Sequence, residues 1–276
     1  MNHSVPWHEV RPLPDRGVRL AVVGDPVEHS LSPRMHSAAL QALAITGEYL
    51  AVSVPKGELD DAVAHLIACE FRGINVTLPH KAAAADVATP DDDFVVQIQV
   101  ANCLSFTDEV RARNTDVPGF LAPLEGVPAG KALVLGAGGA AAAAAYALLR
   151  SRWDVSLWSR TSKRAHALSE ALQRFGNCDA REAPSPAGCS LVVNATPLGL
   201  SPGEAPPLDW AALEPNAIVY DLAYRAEPTD LLVEAARRGN RAIDGREMLV
   251  EQGALSLEWW LDVRAPRQAM RAAVGL

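Results

Sequence analysis

The stretch ALVLGAGGAA at residues 132–141 decides the fold of this chain. Its first four residues are apolar and predict a buried β-strand, and the glycines that follow match the pattern G-x-G-x-x-A at the start of an alanine-rich helix. In that pattern Gly136 permits a tight turn, Gly138 lets the backbone approach a pyrophosphate, and Ala141 lets helix and sheet pack closely. The strand, turn and helix context favours a dinucleotide-binding loop; the alternative is a glycine-rich turn in an ordinary α/β protein.

The segment after the next predicted strand indicates which dinucleotide fits. It reads SRTSKR at residues 159–164, where NAD enzymes usually have an acidic residue that binds the ribose. Asp154 lies at the opposite end of the strand, whereas Arg160, with Lys163 or Arg164, is suited to neutralise a 2′-phosphate. NADP is therefore favoured over NAD; the alternative is that these cations form only the solvated start of a helix.

Upstream of the loop, strands and helices alternate in the same way. Apolar and amphipathic runs predict strands at residues 18–23, 48–54 and 73–78 and helices at residues 32–43 and 58–69. Ser32 is expected to be the N-cap of the first helix and Pro33 its first helical residue. This alternation predicts a mostly parallel sheet with helices on both faces. Residues 118–131 hold three prolines and three glycines and predict a hinge before the second α/β unit.

Composition excludes several classes of protein. Of 276 residues, 49% are hydrophobic, and 25 Lys and Arg stand against 33 Asp and Glu, for a net charge of −8. The chain is expected to fold, and its net charge has the wrong sign for a nucleic-acid partner. The four cysteines lie far apart without metal-ligand or disulfide spacing, so reduced thiols and no metal site are expected.

The sequence also lacks the patterns of a secreted or membrane protein. The N-terminal segment, residues 1–17, has three prolines and no apolar run, which argues against a signal peptide. The longest weakly polar run, residues 133–149, falls short of the roughly 20 residues that span a membrane. We therefore expect a cytoplasmic protein with no membrane partner.

Seven motifs along the chain carry a resemblance to a known family. They are SLSP at 30–33, NVTLPHK at 75–81, NTD at 114–116, GAGGA at 136–140, SRT at 159–161, NATPLG at 194–199 and DGREMLVEQG at 244–253. In this order they resemble the shikimate dehydrogenases, from about residue 18 to the C-terminus. The resemblance implies reversible, NADPH-dependent reduction of 3-dehydroshikimate to shikimate, a step towards chorismate and the aromatic amino acids.

The resemblance further implies a two-domain α/β fold, with an open α/β substrate domain and a Rossmann-type NADP-binding domain that has a parallel sheet. We expect the substrate domain at residues 18–117, with C-terminal helices at 244–276 packing back on it, and the NADP-binding domain at 118–243. Residues 1–17 would form a Pro-rich extension. The expected partner is a small-molecule substrate, and the expected assembly is a monomer or a homodimer.

Oxidation of a secondary alcohol by hydride transfer requires a group that accepts the hydroxyl proton. The resemblance implies Lys81 as the general acid/base and Asp116 as its orienting partner. Whether Asp116 shares the proton stays open. Without the resemblance, Lys81 would more often be a surface lysine at the first turn of a helix.

The resemblance assigns binding roles to the remaining motif residues. Ser30 and Ser32 match a carboxylate-binding pair over which Tyr224 closes. The residues that match substrate-binding positions are Ser30, Ser32, Asn75, Thr77, Lys81, Asn102, Asp116, Tyr224 and Gln252. The residues that match cofactor-binding positions are Gly136, Ala137, Gly138, Gly139, Ala140, Ser159, Arg160, Thr161, Lys163, Arg164, Asn194, Ala195, Thr196, Leu198, Leu222, Gly245 and Met248. For Gln252 the alternative is an exposed polar position on a helix, and for Met248 it is a role in the core.

Two substitutions depart from the family pattern and leave substrate preference open. Gln99 stands where the family usually has glycine, and Cys103 where it usually has threonine. A third and smaller departure lies in the NADP loop, where Ser159 replaces a common asparagine. One alternative is a quinate/shikimate dehydrogenase with broader substrate or NAD use. Another is a non-catalytic protein that binds NADP or shikimate.

Overall fold

A computed structural model describes residues 4–12 and 17–276. The chain forms two compact units, one made of Met1–Gly119 and Leu249–Leu276 and the other of Phe120–Met248. The first unit therefore contains both ends of the chain, and the second is inserted between them in sequence.

The described residues include thirteen strands and ten α-helices. The strands are β1 Val5–Pro6, β2 Val18–Gly24, β3 Gly47–Ser53, β4 Gly73–Val76, β5 Thr89–Pro90, β6 Cys103–Ser105, β7 Arg111–Arg113, β8 Lys131–Leu135, β9 Asp154–Trp158, β10 Cys178–Ala180, β11 Leu191–Asn194, β12 Ile218–Asp221 and β13 Arg241–Asp244. The helices are α1 Ser32–Ala42, α2 Leu59–Ala68, α3 Lys81–Asp86, α4 Asp93–Ile98, α5 Asp116–Leu121, α6 Gly139–Arg150, α7 Ser162–Leu172, α8 Asp230–Arg237, α9 Gly245–Leu261 and α10 Arg267–Val274.

The first unit is built on a mixed seven-stranded sheet in the order β1-β3-β2-β4-β6-β7-β5. β1 to β4 pair in parallel, as the alternation predicts. β6 runs antiparallel to both β4 and β7. Only residues 106–110 join β6 to β7, too few for the crossover that a parallel pair requires, so these two strands form a hairpin.

Helices cover both faces of this sheet because alternate residues of β2 point to opposite sides. Ala21 lies in the core cluster that includes α2, and Leu20 in the cluster that includes residues of α1, α9 and α10. Trp260 of α9 is buried in the second cluster and donates its indole N–H to Leu104 O at 2.8 Å. The C-terminal helices thus belong to the core of the first unit.

The second unit is a Rossmann-type domain. Its six strands are all parallel and lie in the order β10-β9-β8-β11-β12-β13. Numbered within the unit, this is the order 3-2-1-4-5-6 of doubly wound dinucleotide-binding sheets. The predicted strand before the glycine loop, the helix after it and the strand at residues 154–158 are confirmed.

The predicted N-cap of α1 is wrong by one residue. Leu31 is the N-cap and makes no side-chain capping bond, while Ser32 already has helical geometry and Pro33 follows it. The hydroxyl of Ser30 accepts the backbone N–H of Ser32 at 3.2 Å. Ser30 therefore satisfies the N–H of the first helical residue, whereas a Ser32 cap would have accepted an N–H two or three residues further along.

Three other segments differ from the sequence-based expectations. The strand predicted at residues 73–78 ends at Val76. The predicted hinge at residues 118–131 contains the end of α5 and a 3₁₀ turn at Ala122–Leu124. Within the Pro-rich segment 1–17, β1 pairs with β3, while residues 1–3 and 13–16 lie outside the described part of the chain.

Candidate active site and nucleotide-binding site

Lys81 and Asp116 form an ion pair in the first unit. Each is the first residue of a short helix, α3 and α5 respectively. Lys81 Nζ donates to Asp116 Oδ2 at 2.6 Å, and the two side chains are 31% and 11% exposed. The carboxylate fixes the position of the ammonium, which stays open enough to contact a bound small molecule.

Asn102 and Gln252 are brought together although they lie far apart in sequence. Asn102 Nδ2 donates to Thr115 Oγ1 at 3.0 Å and to Gln252 Oε1 at 3.4 Å. Asn102 Oδ1 accepts the backbone N–H of Thr115 at 2.7 Å. Since Thr115 precedes Asp116, this bond also holds the chain that presents the carboxylate of the ion pair.

Asn75 is buried at the centre of a second set of contacts. Its Oδ1 accepts from Tyr49 Oη at 2.8 Å. Its Nδ2 donates to Ser256 Oγ at 2.9 Å and to Asn102 O at 3.2 Å. Because both amide hydrogens have partners within the protein, Asn75 is suited to hold β4, β6 and α9 together rather than to donate to a ligand.

The three predicted hydroxyl residues of the first unit follow the parallel strands β2 and β4. Ser30 and Ser32 are joined by the hydrogen bond at the start of α1. Thr77 is half-buried directly after β4, and its N–H donates to Val23 O of β2 at 2.9 Å. A Cβ on Gly24 would lie 2.4 Å from the methyl group of Thr77, so only glycine allows this close approach.

The glycine loop of the second unit has the shape that a phosphate requires. Gly136 has φ +123°, and a Cβ there would lie 2.8 Å from Ala195 O. Gly138 is the N-cap of α6, and a Cβ on Gly138 or Gly139 would meet nothing within 4 Å. The free N–H groups at the start of α6 therefore border open space, which fits the pyrophosphate of a dinucleotide. Ala137 and Ala140 complete this loop.

The basic segment after β9 fits a 2′-phosphate. Arg160, Lys163 and Arg164 are exposed, and within the described residues none of the three forms an ion pair. Ser159 Oγ accepts the N–H of Thr161 at 3.4 Å, which shapes the turn into α7. Asp154 is the first residue of β9, at the far end of the strand.

The loop at residues 194–199 begins at the carboxyl end of β11, where open α/β sheets bind ligands. Asn194 is buried, and its Oδ1 accepts from Thr196 N at 3.0 Å and from Thr196 Oγ1 at 2.7 Å. Its Nδ2 donates to Leu198 O at 2.9 Å. Asn194 therefore holds the loop through contacts with Thr196 and Leu198, while Ala195 N–H donates to Leu135 O at 2.8 Å.

The end of β12 and the start of α9 supply the other predicted residues of the second unit. Leu222 and Tyr224 follow β12, and burial raises the pKa of the Tyr224 phenol. A Cβ on Gly245 would lie 2.8 Å from the carbonyl oxygens of both Asp221 and Leu222. Met248 is half-buried in the first turns of α9.

The predicted site residues fall into two sets. All the predicted substrate-binding residues except Tyr224 lie in the first unit. Tyr224 and every predicted cofactor-binding residue lie in the second. Within residues 4–12 and 17–276, no cluster of His, Cys, Asp and Glu has the arrangement of a metal site.

The four cysteines are free thiols, and all are buried. Among the helices of the described residues, none combines the length and the apolar character needed to cross a bilayer.

Comparison with known proteins identifies the family. The model of the shikimate dehydrogenase substrate binding domain matches residues 22–104, and that of the shikimate 5′-dehydrogenase C-terminal domain matches residues 245–274. The NADP(+) shikimate dehydrogenase of Methanothrix thermoacetophila is 38% identical over 92% of this chain and 95% of its own. The chain belongs to the shikimate dehydrogenase family.

Solved structures of shikimate dehydrogenases and of one other reductase share the fold. Shikimate 5-dehydrogenase from Thermus thermophilus, in complex with NADP(H) and shikimate, has a TM-score of 0.83 and 37% identity, over 93% of this chain and 98% of that one. The ligand-free 5-ketofructose reductase of Gluconobacter sp. strain CHM43 has a TM-score of 0.87 and 28% identity, over 94% and 98% of the two chains.

The two departures from the shikimate dehydrogenase pattern have different physical settings. Gln99 has φ 50° and ends α4 in the left-handed conformation, which explains why glycine is usual there. Cys103 is buried in β6 opposite Asn75 of β4, and burial raises the pKa of its thiol. Cys103 therefore borders the hydrogen-bond network of Asn75 and Asn102. Gln99 instead affects the backbone that leads to Asn102.

Sequence reasoning missed three polar residues that support the site. Tyr49 and Ser256 hold Asn75, and Asp221 accepts from Asn194 Nδ2 at 2.7 Å. Ser256 lies four residues after Gln252, on the same face of α9. Asp221 is an acidic residue at the carboxyl end of an apolar strand. The sequence pattern could therefore have indicated Ser256 and Asp221 as supporting residues, but nothing in the sequence indicates Tyr49.

Proposed function

We propose that this chain is a shikimate dehydrogenase that uses NADP(H) to interconvert 3-dehydroshikimate and shikimate. The observation that carries the proposal is the ion pair of Lys81 and Asp116 beside the linked amides of Asn102 and Gln252. A general acid/base next to neutral hydrogen-bonding side chains suits a small molecule with several hydroxyl groups. Membership of the family supports the same activity.

Lys81 performs the proton transfer. In the direction of reduction, its ammonium donates a proton to the substrate oxygen as the C=O bond becomes C–OH. In the direction of oxidation, the neutral amine accepts that proton. Asp116 accepts a hydrogen bond from Nζ and orients it. The 31% exposure of the Lys81 side chain lets the amine exchange its proton with solvent between turnovers.

The other residues of the first unit bind the substrate in this proposal. Ser30 and Ser32 bind the carboxylate near the start of α1, where the helix dipole favours a negative charge. Thr77, Asn102 and Gln252 bind the ring hydroxyls. Asn75 holds Asn102 O in place through its own amide.

The second unit holds NADP(H), which supplies the hydride when it is bound. The loop at residues 136–140 receives the pyrophosphate, and Arg160, Lys163 and Arg164 neutralise the 2′-phosphate. Residues 194–199, Leu222, Gly245 and Met248 surround the nicotinamide end. The open space beyond Gly138 and Gly139 supports this assignment of the loop.

Initial rates test the proposal. NADPH formation is followed by its absorbance, with shikimate or quinate as substrate and NADP or NAD as cofactor. We expect kcat/KM to be highest for shikimate with NADP. A preference for quinate or NAD would indicate the broader quinate/shikimate enzyme, and binding without turnover would indicate a non-catalytic protein.

Substrate preference has its own test at Cys103, since this buried thiol borders Asn75. Cys103→Thr adds a hydroxyl group to the hydrogen-bond network of Asn75 and Asn102. A sharp change in the ratio of kcat/KM for shikimate to that for quinate would assign Cys103 a role in selectivity. An unchanged ratio would make Cys103 a packing residue.

We propose that the enzyme acts in the cytoplasm as a monomer or a homodimer. Its free cysteines agree with a reducing compartment. Light scattering after size-exclusion chromatography measures the assembly, and a larger oligomer would contradict the proposal.

A further inference from the structure

A buried carboxylate lies beneath the loop assigned to the nicotinamide. Asp221, the last residue of β12, is fully buried. Its Oδ1 accepts from Asn194 Nδ2 at 2.7 Å and from the N–H of Ala223 at 3.0 Å. Its Oδ2 accepts from Thr229 Oγ1 at 2.5 Å. Two of these donors are side chains, and they come from the end of β11 and the start of α8.

The carboxylate determines which way the Asn194 amide faces. An ionised carboxylate only accepts hydrogen bonds, so the Nδ2 side of Asn194 must face Asp221. The second Nδ2 hydrogen then reaches Leu198 O, and Oδ1 is left to accept from Thr196 N and Oγ1. If the amide were reversed, Oδ1 would face the oxygens of Asp221 and Leu198. Asp221 therefore sets the contacts that shape residues 194–198.

The other end of the same loop also lies against Asp221. Gly199 has φ +112°, and a Cβ there would lie 3.5 Å from Asp221 Oδ2. The loop is thus held to Asp221 by the hydrogen bond of Asn194, and its other end passes near the same carboxylate.

We propose that Asp221 is a positioning residue for NADP(H) binding, which in its ionised form holds residues 194–199 in the conformation that receives the nicotinamide end. The inference rests on the proposed function. Asp221 acts through Asn194 and touches neither substrate nor cofactor in this assignment.

Burial brings the ionisation of Asp221 into an accessible pH range. Burial raises the pKa of Asp221 to about 6, against the lowering effect of hydrogen bonds from Thr229, Asn194 and Ala223. Asp244, its register partner in β13, is the charged group that faces it, and Asp244 is itself paired with Arg246 at 2.8 Å. Protonation below about pH 6 would remove the acceptor-only character that orients Asn194.

The first experiment measures the Kd of NADPH by its fluorescence from about pH 8 to about pH 5.5, together with the Kd of 2′-phospho-ADP-ribose. This smaller nucleotide carries the same pyrophosphate and the same 2′-phosphate, which titrates in this range, but lacks the nicotinamide. For the wild-type protein, we expect the Kd of NADPH to rise more steeply than that of 2′-phospho-ADP-ribose as the pH falls. The difference between the two slopes reports on Asp221.

Asp221→Asn imitates the protonated carboxyl group. We expect this variant to bind NADPH about tenfold more weakly than the wild type at about pH 8 and to bind 2′-phospho-ADP-ribose equally well. The steeper pH dependence of NADPH binding should be lost. Because the variant no longer buries a charge, its melting temperature at that pH should not be lower than that of the wild type. A merely structural role would instead lower the melting temperature and leave the selectivity between the two nucleotides unchanged.

A second pair of variants changes the hydrogen bonding of Asp221 while the residue itself is kept. Thr229→Val removes the hydroxyl donor to Oδ2, so we expect the steeper pH dependence of NADPH binding to move to higher pH, while Thr229→Ser retains the donor and the wild-type profile. Asp179→Asn is the matched control, because Asp179 also accepts from a hydroxyl, Ser156 Oγ at 2.7 Å, but lies in edge strand β10. Its nucleotide affinities should match those of the wild type.

Three outcomes would overturn the inference. They are equal pH slopes for NADPH and 2′-phospho-ADP-ribose in the wild type, a wild-type Kd for NADPH in Asp221→Asn, and identical profiles for Thr229→Val and Thr229→Ser. Failure of the wild-type protein to bind either nucleotide would overturn the proposed function as well, which distinguishes the two failures.

Discussion

The two units hold their polar side chains by contrasting means. In the first unit the buried network of Asn75, Asn102, Gln252 and Ser256 contains only neutral groups. In the second unit the buried network is centred on the carboxylate of Asp221. Neutral amides and hydroxyls keep their hydrogen-bonding roles at any ordinary pH, whereas a carboxylate changes from acceptor to donor when it is protonated.

The contrast teaches where each candidate site carries its charge. The site of the first unit places the ion pair of Lys81 with Asp116 where the two side chains are 31% and 11% exposed, and the pair contacts the reacting oxygen in our proposal. The nucleotide site of the second unit exposes cations such as Arg160 and buries the carboxylate of Asp221 beneath a loop. A buried charge costs folding free energy, and such a cost is typical of a functional region.

The largest expected effect tests the charged part of the first unit. Lys81→Ala should lower kcat about a thousandfold with a modest change in KM, because a proton transfer made only in the transition state is lost. Steady-state rates measure this, and Lys56→Ala, at an exposed position of the same unit, is the matched control. Near-normal kcat in the Lys81 variant would remove Lys81 from its role.

The next effect tests the exposed cations of the second unit. Arg160→Ala should lower kcat/KM for NADP by about tenfold or more and leave that for NAD nearly unchanged, since only NADP has a 2′-phosphate to bind. Arg150→Ala, at an exposed position at the end of α6, serves as the control. An unchanged ratio of NADP to NAD efficiency would show that Arg160 is only a solvated cation.

A smaller effect tests whether the neutral network differs from the charged one in its response to pH. Ser256→Ala leaves Asn75 Nδ2 without one acceptor and should lower the free energy of unfolding by about 1–3 kcal/mol. Urea denaturation should give the same loss at about pH 6 and about pH 8, because no member of this network titrates between them. Ser201→Ala, at an exposed position, should cost little. A loss of unfolding free energy that changed with pH would contradict the description of the first unit's network as neutral.

The smallest effect concerns the departure at Gln99. Gln99→Gly should raise the free energy of unfolding by up to about 1 kcal/mol, since glycine adopts the left-handed conformation without steric cost. Gln97→Gly, inside α4, should lower it by about the same amount. Thermal or urea unfolding of both variants checks the opposite signs. Equal destabilisation by both changes would contradict the backbone explanation.

Local patterns in the sequence predicted much of this molecule. The loop at residues 136–141, its flanking strand and helix, and the position of Asp154 at the wrong end of β9 all follow from short-range periodicity and glycine chemistry. The N-cap of α1 was misplaced because serine is a preferred capping residue, whereas the structure places the N-cap one residue earlier, at Leu31, which has no capping side chain.

The sequence by itself determined the order of strands and helices, the glycine loop and the candidate residues in each motif, because these depend on neighbours within a few positions. Only the tertiary structure decided which buried polar groups satisfy one another. Asn75 and Ser256 are 181 residues apart and bond at 2.9 Å. Asn194 meets Asp221 because β11 and β12 are adjacent in the sheet. Such partners follow from strand order and helix docking, since most buried donors and acceptors are paired wherever the fold places them.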